Sequence, residues 1–150
     1  MNDWRLDIED SVNAFLAVTE LAGDPVTRTG IEIEFLPAPH HPGGLPKGKM
    51  AIYGFWCDGT WLKIGKAGPK SGPRFVSHHY NVSALSTLAK SLVTDPHMQN
   101  IHEFDLQSPG AWMRACTNRV NILLPATRGV PLLTLLEAFL HVRLKPRYEG

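Results

Sequence analysis

Along residues 51–67 the apolar, β-prone side chains come in two runs, Ile52, Tyr53, Phe55 and Trp56, then Trp61, Leu62 and Ile64, with Asp58-Gly59 between them. An Asp-Gly pair flanked by such runs is the sequence form of a two-residue hairpin turn, so a β-hairpin is expected here. Further on, Val120, Ile122, Leu123 and Leu124 make a buried-strand pattern bounded by Pro125. Residues 30–35 instead alternate Ile31, Glu32, Ile33, Glu34 and Phe35, with one apolar and one acidic face, as an edge strand or an added strand does.

Helical signals appear in five places. Ile8, Val12, Phe15 and Leu16 share one face of residues 7–21, where Asp7, Glu9 and Asp10 suit a helix N-terminus and Gly23 a stop. A short helix is expected near Arg74, after Pro73. Ser83 or Ser86 can cap another through Leu92, ended by Asp95-Pro96, and Ser108-Pro109 reads as an N-cap and first turn of a helix to Cys116. A last, leucine-rich helix opens at Gly129-Val130-Pro131 and runs to Leu144, because Pro146 disfavours helical geometry at Lys145. Residues 36–49, with four prolines and three glycines, read as an extended loop, and His40-His41 within it as a solvated pair. The order implies an α+β fold, a small mixed sheet with helices packed on it.

With 150 residues, 43% of them hydrophobic, the chain can bury a core as one compact domain. The net charge of +1 hides an asymmetry: residues 1–35 carry eight acids and two bases, residues 36–150 six acids and thirteen bases. Such a split suits a C-terminal part facing nucleic acid and an acidic segment packed away from it. Cys57 and Cys116 form no C-x-x-C pair, so neither a disulfide framework nor a zinc knuckle is indicated, and a reducing cytoplasm fits. No signal peptide, membrane span or small-molecule cofactor is expected.

From Gly59 to Tyr80 the charged side chains other than histidine are all basic, Lys63, Lys66, Lys70 and Arg74, which makes a polyanion the natural partner. Tyr53 and Lys63 lie on successive hairpin strands, where a tight turn can put phenol and ammonium on one face. An ammonium there would lower the tyrosine pKa from about 10 and turn Tyr53 into a general base or a water positioner. A strand tyrosine beside a snorkelling lysine is the plainer reading of that pair taken alone. Arg74 can clasp a phosphate through two guanidinium hydrogens. Glu137, the only acid between Asp105 and Glu149, sits at the edge of the apolar arc of Leu133, Leu140 and Leu144, where it needs a salt-bridge partner or a hard cation.

Taken together, Ala51-Ile52-Tyr53, Lys63-Ile64-Gly65-Lys66, Arg74 followed by histidines, and Glu137 on a helix ending in Lys145-Pro146 resemble the GIY-YIG nuclease superfamily. Ala51 replaces the first glycine, and Lys63 stands where the second tripeptide usually opens with tyrosine, as it does in a restriction-endonuclease branch. The resemblance covers residues 50–150 and leaves 1–49 as a helix, a strand and a loop packed on that core. It implies a three-stranded antiparallel sheet flanked by helices, with the N-terminal helix and extra strand added. It also implies a magnesium-dependent DNA endonuclease, with manganese able to substitute, acting in restriction or defence.

In that scheme Glu137 binds the metal, and Tyr53, Lys63, Arg74 and either His78 or His79 act on the phosphate. Lys66, Lys70, Tyr80 and Lys145 are expected to contact DNA. The asparagine that often follows the helix-ending proline is absent, Tyr148 and Glu149 standing in the tail instead. A homodimer would be needed for a symmetric double-strand cut. The rival readings are a noncatalytic nucleic-acid binding or regulatory module and a structural domain of a larger complex.

Overall fold

Asp58 (φ 47°) and Gly59 (φ 82°) both take left-handed backbone angles, as a two-residue turn matching the twist of its strands requires. The computed structural model, which describes residues 3–81, 88–100, 104 and 107–148 apart from the side chains of His78 and Gln99, joins through this turn β2 (Lys49–Cys57) and β3 (Thr60–Ala67). Lys63 stands opposite Phe55 and Trp61 opposite Trp56, so Leu62 is the extra residue of a bulge. β4 (Asn118–Pro125) pairs with the other side of β2, and β1 (Glu32–Leu36) with the other side of β4. The result is one four-stranded antiparallel sheet in the order β1-β4-β2-β3, with β1 at an edge.

Side chains alternate across a strand, and here both faces are covered. Ile52, Ile64, Val120, Ile122 and Leu124 meet α1 (Trp4–Leu21) and α5 (Val130–Leu144) through Ile8, Val12, Phe15, Leu133, Leu136 and Leu140. Each fully buried leucine there is worth about 2 kcal/mol. On the other face, Ala51, Tyr53, Phe55 and Leu123 meet α2 (Gly72–Val76), α3 (Leu88–Thr94) and α4 (Pro109–Cys116) through Phe75, Leu88, Leu92, Trp112 and Met113. Double coverage explains why β2 and β4 read as apolar runs while β1, at the edge, alternates.

Most element ends follow their sequence signals. α1 starts at Trp4, ahead of the expected residue 7, because the Asp3 carboxylate accepts the Arg5 N–H at 2.9 Å and Trp4 packs on Trp56 and Phe35. Ser108 occupies the N-cap of α4 without a side-chain bond. The proposed caps Ser83 and Ser86 lie outside the described residues. α5 ends at Leu144, with Lys145 left-handed (φ 50°) before Pro146. Among the described residues no helix is long and apolar enough to cross a membrane.

Two segments differ from expectation. His40, expected in a solvated loop pair, is 2% exposed. Its Nδ1–H donates to the Thr117 carbonyl at 2.8 Å, its Nε2 accepts from the Tyr80 hydroxyl at 2.6 Å, and its backbone N–H donates to the Arg114 carbonyl at 2.8 Å. With both ring nitrogens satisfied the imidazole can be buried, and burial lowers its pKa to about 4. The tail, for its part, lies along β3: the Arg147 and Tyr148 N–H groups donate to the Trp61 and Leu62 carbonyls, each at 2.9 Å. The Tyr148 hydroxyl bonds Asp95 at 2.6 Å; Glu149 is outside the described residues.

Candidate active site

The sheet places the Tyr53 phenol under Gly65, its cross-strand partner. A Cβ on Gly65 would stand 2.5 Å from the Tyr53 oxygen, so only glycine lets the ring cross beneath β3. α2, opened by Gly72-Pro73, carries Arg74 to the same oxygen, where its Nε–H donates at 3.2 Å. The 3-10 turn His78–Tyr80 brings His79 there too, with its Nε2 hydrogen-bonded to Tyr53 Oη and ring centroids 4.8 Å apart. The Leu88 N–H donates to His79 Nδ1 at 3.1 Å. In a neutral imidazole that bond assigns the proton to Nε2, so Tyr53 Oη accepts two hydrogen bonds, one from each neighbour.

Two donors on a phenol oxygen favour the phenolate. Burial works against them and is the larger effect. Tyr53 is fully buried, and its pKa is pushed above the ordinary value by desolvation, against the pull of Arg74 and Arg119 and with a further upward push from Glu137. The direction is opposite to the lowering expected beside Lys63, and the hydrogen bonds to the oxygen come from Arg74 and His79. Lys63 does share the face of Tyr53, opposite Phe55 and 8% exposed, because a cross-strand register places it there.

Beside this cluster, Lys66, Gly68, Ser71, Arg74, Val130, Leu133 and Glu137 line a cavity of about 400 Å³. Glu137 comes from α5 and Lys66 from β3, and Lys66 Nζ lies 3.5 Å from Glu137 Oε1 and 3.3 Å from Thr134 Oγ1. The salt-bridge reading of Glu137 has its partner in Lys66, and the carboxylate also lines the cavity wall. Among the described residues no group of three or more His, Cys, Asp or Glu side chains could hold a metal ion. The donor set is one carboxylate, which fits a hard cation only if that cation keeps its waters and takes further ligands from a substrate.

The remaining expected residues fall elsewhere. The His78 side chain lies outside what is described, and α2 ends at Val76, so the one-turn spacing from Arg74 to His78 is not helical. Lys70 is exposed on the turn between Gly68 and Ser71. Lys145 lines a different cavity, with Asp7, Trp61 and Arg143. Tyr80, expected to touch DNA, is 7% exposed with its hydroxyl bonded to His40 and Arg119; its position after His79 in the turn carries it inward.

Sequence reasoning missed Arg119 and Asn121. Both lie on the Tyr53 face of β4, Asn121 opposite Tyr53 and Arg119 opposite Phe55. Arg119 is 1% exposed and bonds Asn121 Oδ1 at 2.9 Å, Tyr80 Oη at 3.1 Å and the Phe75 carbonyl at 2.5 Å. The available signal was two polar residues, Arg119 and Asn121, at alternate positions within the apolar run of the strand. No family model, curated protein or solved structure matches the chain.

Proposed function

We propose that the chain is a divalent-metal-dependent DNA endonuclease, of the GIY-YIG kind that its motifs resemble, serving in restriction or another defence against foreign DNA. The observation that carries this reading is the convergence of Tyr53, Arg74, His79, Lys66 and Glu137, from four separate elements and a turn, on one cavity and the phenol at its side. Phosphodiester hydrolysis needs a proton acceptor for water and positive charge where the phosphorane forms. In its phenolate form Tyr53 takes the proton of the water that attacks phosphorus, the bond from phosphorus to the leaving sugar oxygen breaks, that oxygen takes a proton from solvent, and Tyr53 returns its proton to solvent before the next cycle.

Arg74 is exposed at its own end of the pair. Turning to the scissile phosphate, it uncovers the Tyr53 oxygen that it covers in the free protein. Glu137 would hold a magnesium or manganese ion, with Lys66 released to a phosphate oxygen; the ion supplies Lewis-acid stabilisation of the developing charge. Lys63 and the exposed Lys70 add positive charge near the path of the backbone. A symmetric double-strand cut would take two copies of the chain, each contributing one site.

The complete burial of Tyr53 favours a second reading, a noncatalytic nucleic-acid binding module in which the phenol is structural. The two are separated by incubating the protein with supercoiled, linear and single-stranded DNA in magnesium, manganese or chelator, beside Tyr53→Phe and Glu137→Ala. Metal-dependent nicking that falls by about 10²-fold or more in each variant is the expected result. Cleavage retained in both refutes the site, and salt-sensitive binding without nicking establishes the second reading.

A further inference from the structure

Among the described residues Arg119 is the largest fully buried side chain, and it has no carboxylate partner there. A buried cation without an acid is costly unless other groups solvate it. Here the solvating groups are neutral oxygens and aromatic faces: Asn121 Oδ1, Tyr80 Oη, the Phe75 carbonyl, and the rings of Tyr53, Phe55 and Phe75 at 5.5, 5.3 and 4.8 Å. A methionine or leucine would fill the same space without that cost. The charge is kept beneath the one phenol that faces the cavity groups, and its Phe75 contact ties down the helix residue next to Arg74.

We propose that Arg119 is the positioning residue of the Tyr53–Arg74 pair: a buried, acid-free cation that packs against the Tyr53 ring, stabilises negative charge on its oxygen and anchors α2 through the Phe75 carbonyl. Among the described residues, the other charged or titratable groups facing Tyr53 are Arg74 from α2, His79 from the turn, Lys63 from β3 and Glu137 from α5. Of these, Glu137 opposes ionisation, and Arg74 must leave the oxygen to bind phosphate. Arg119 is held in the interior on the phenol's own face by three hydrogen bonds and three ring contacts, so its charge stays in place through a reaction cycle. Its importance for cleavage rests on the reading of Tyr53 as base; its action on the phenol does not.

The test uses full-length protein labelled with 3-fluorotyrosine, whose greater acidity brings the titrations into reach, with the three ¹⁹F resonances assigned by Tyr→Phe variants. Arg119→Gln and Arg119→Met are expected to raise the Tyr53 midpoint by at least about one unit, equivalent to about tenfold less phenolate at a given pH. Arg119→Lys, which keeps the charge, is expected to stay within about half a unit of wild type. The cleavage pH profile should move to higher pH together with the Tyr53 midpoint.

A midpoint unmoved in the neutral variants overturns the proposal, whatever happens to cleavage. A midpoint that moves while the cleavage profile does not upholds the action of Arg119 on Tyr53 and overturns Tyr53 as the base. Where circular dichroism shows the neutral variants unfolded, Arg119→Lys decides: a midpoint near wild type supports the proposal, and a rise of about a full unit with the charge retained sinks it.

Discussion

Gly65→Ala is the sharpest probe of the site, because it adds one methyl group at the point where β3 crosses the Tyr53 ring. The new carbon would stand 2.5 Å from Oη, 2.6 Å from Cζ and 2.8 Å from Cε2, about 1 Å inside ordinary contact. The ring cannot yield easily, since Tyr53 is 0% exposed and packed by Phe55, His79 and Arg119. Overpacking of this kind costs about 1–3 kcal/mol. A 1 Å displacement would also stretch the 3.2 Å contact from Arg74 Nε beyond hydrogen-bond range, and misplacement on that scale costs about 10²-fold in rate. Urea unfolding and a DNA-cleavage time course measure the two effects separately. Tyr53→Phe should not relieve the destabilisation, because the ring carbons at 2.6 and 2.8 Å remain. Stability within about 0.5 kcal/mol of wild type, with cleavage unchanged, would refute both the crossing geometry and the role assigned to the phenol.

Gly110→Ala in α4 would place a Cβ 2.4 Å from the Tyr80 carbonyl oxygen; the usual gain of about 1 kcal/mol from replacing a helical glycine should become a net loss of about 2 kcal/mol, and a stabilised variant in thermal unfolding would contradict the packing of α4 on the His78–Tyr80 turn. His40 has a folded pKa of about 4, well below its ordinary value, so the unfolded chain binds the proton first as pH falls. The stability it contributes is present above about pH 6.5 and is lost progressively towards pH 4, amounting to about 2–3 kcal/mol. His40→Gln should flatten that part of the pH–stability curve measured by urea unfolding, and an unchanged slope would count against the buried neutral imidazole. Because the Tyr53 pKa lies above its ordinary value, log kcat/KM for cleavage should climb with a slope of about one per unit through pH 7–9; a flat profile would exclude phenolate as the base.

Much of the fold was legible because its signals are local. Asp58-Gly59 dictates a turn with both φ values positive, the apolar runs beside it dictate strands covered on both faces, and Pro109, Pro131 and Pro146 mark helix ends through their own geometry. The glutamates of residues 32–34 likewise announce an edge, since a doubly covered strand would not tolerate them. Tyr53, Arg74 and Glu137 could be picked out as chemistry-bearing residues from type and order. What they touch could not, because each contact joins positions far apart in the chain.

Only the folded arrangement decided that β4 lies between β1 and β2, which carries Arg119 and Asn121 under the hairpin, and that a turn after α2 brings His79 to the phenol. It also decided that His40 and Tyr80 face inward, and that burial outweighs the cations around Tyr53. The physical reason is the same in each case. Propensity, turn chemistry and periodicity depend on a few neighbouring residues, whereas desolvation and hydrogen-bond partnership depend on everything packed around a group, so the sequence by itself determined the elements and the tertiary structure determined the electrostatics of the site.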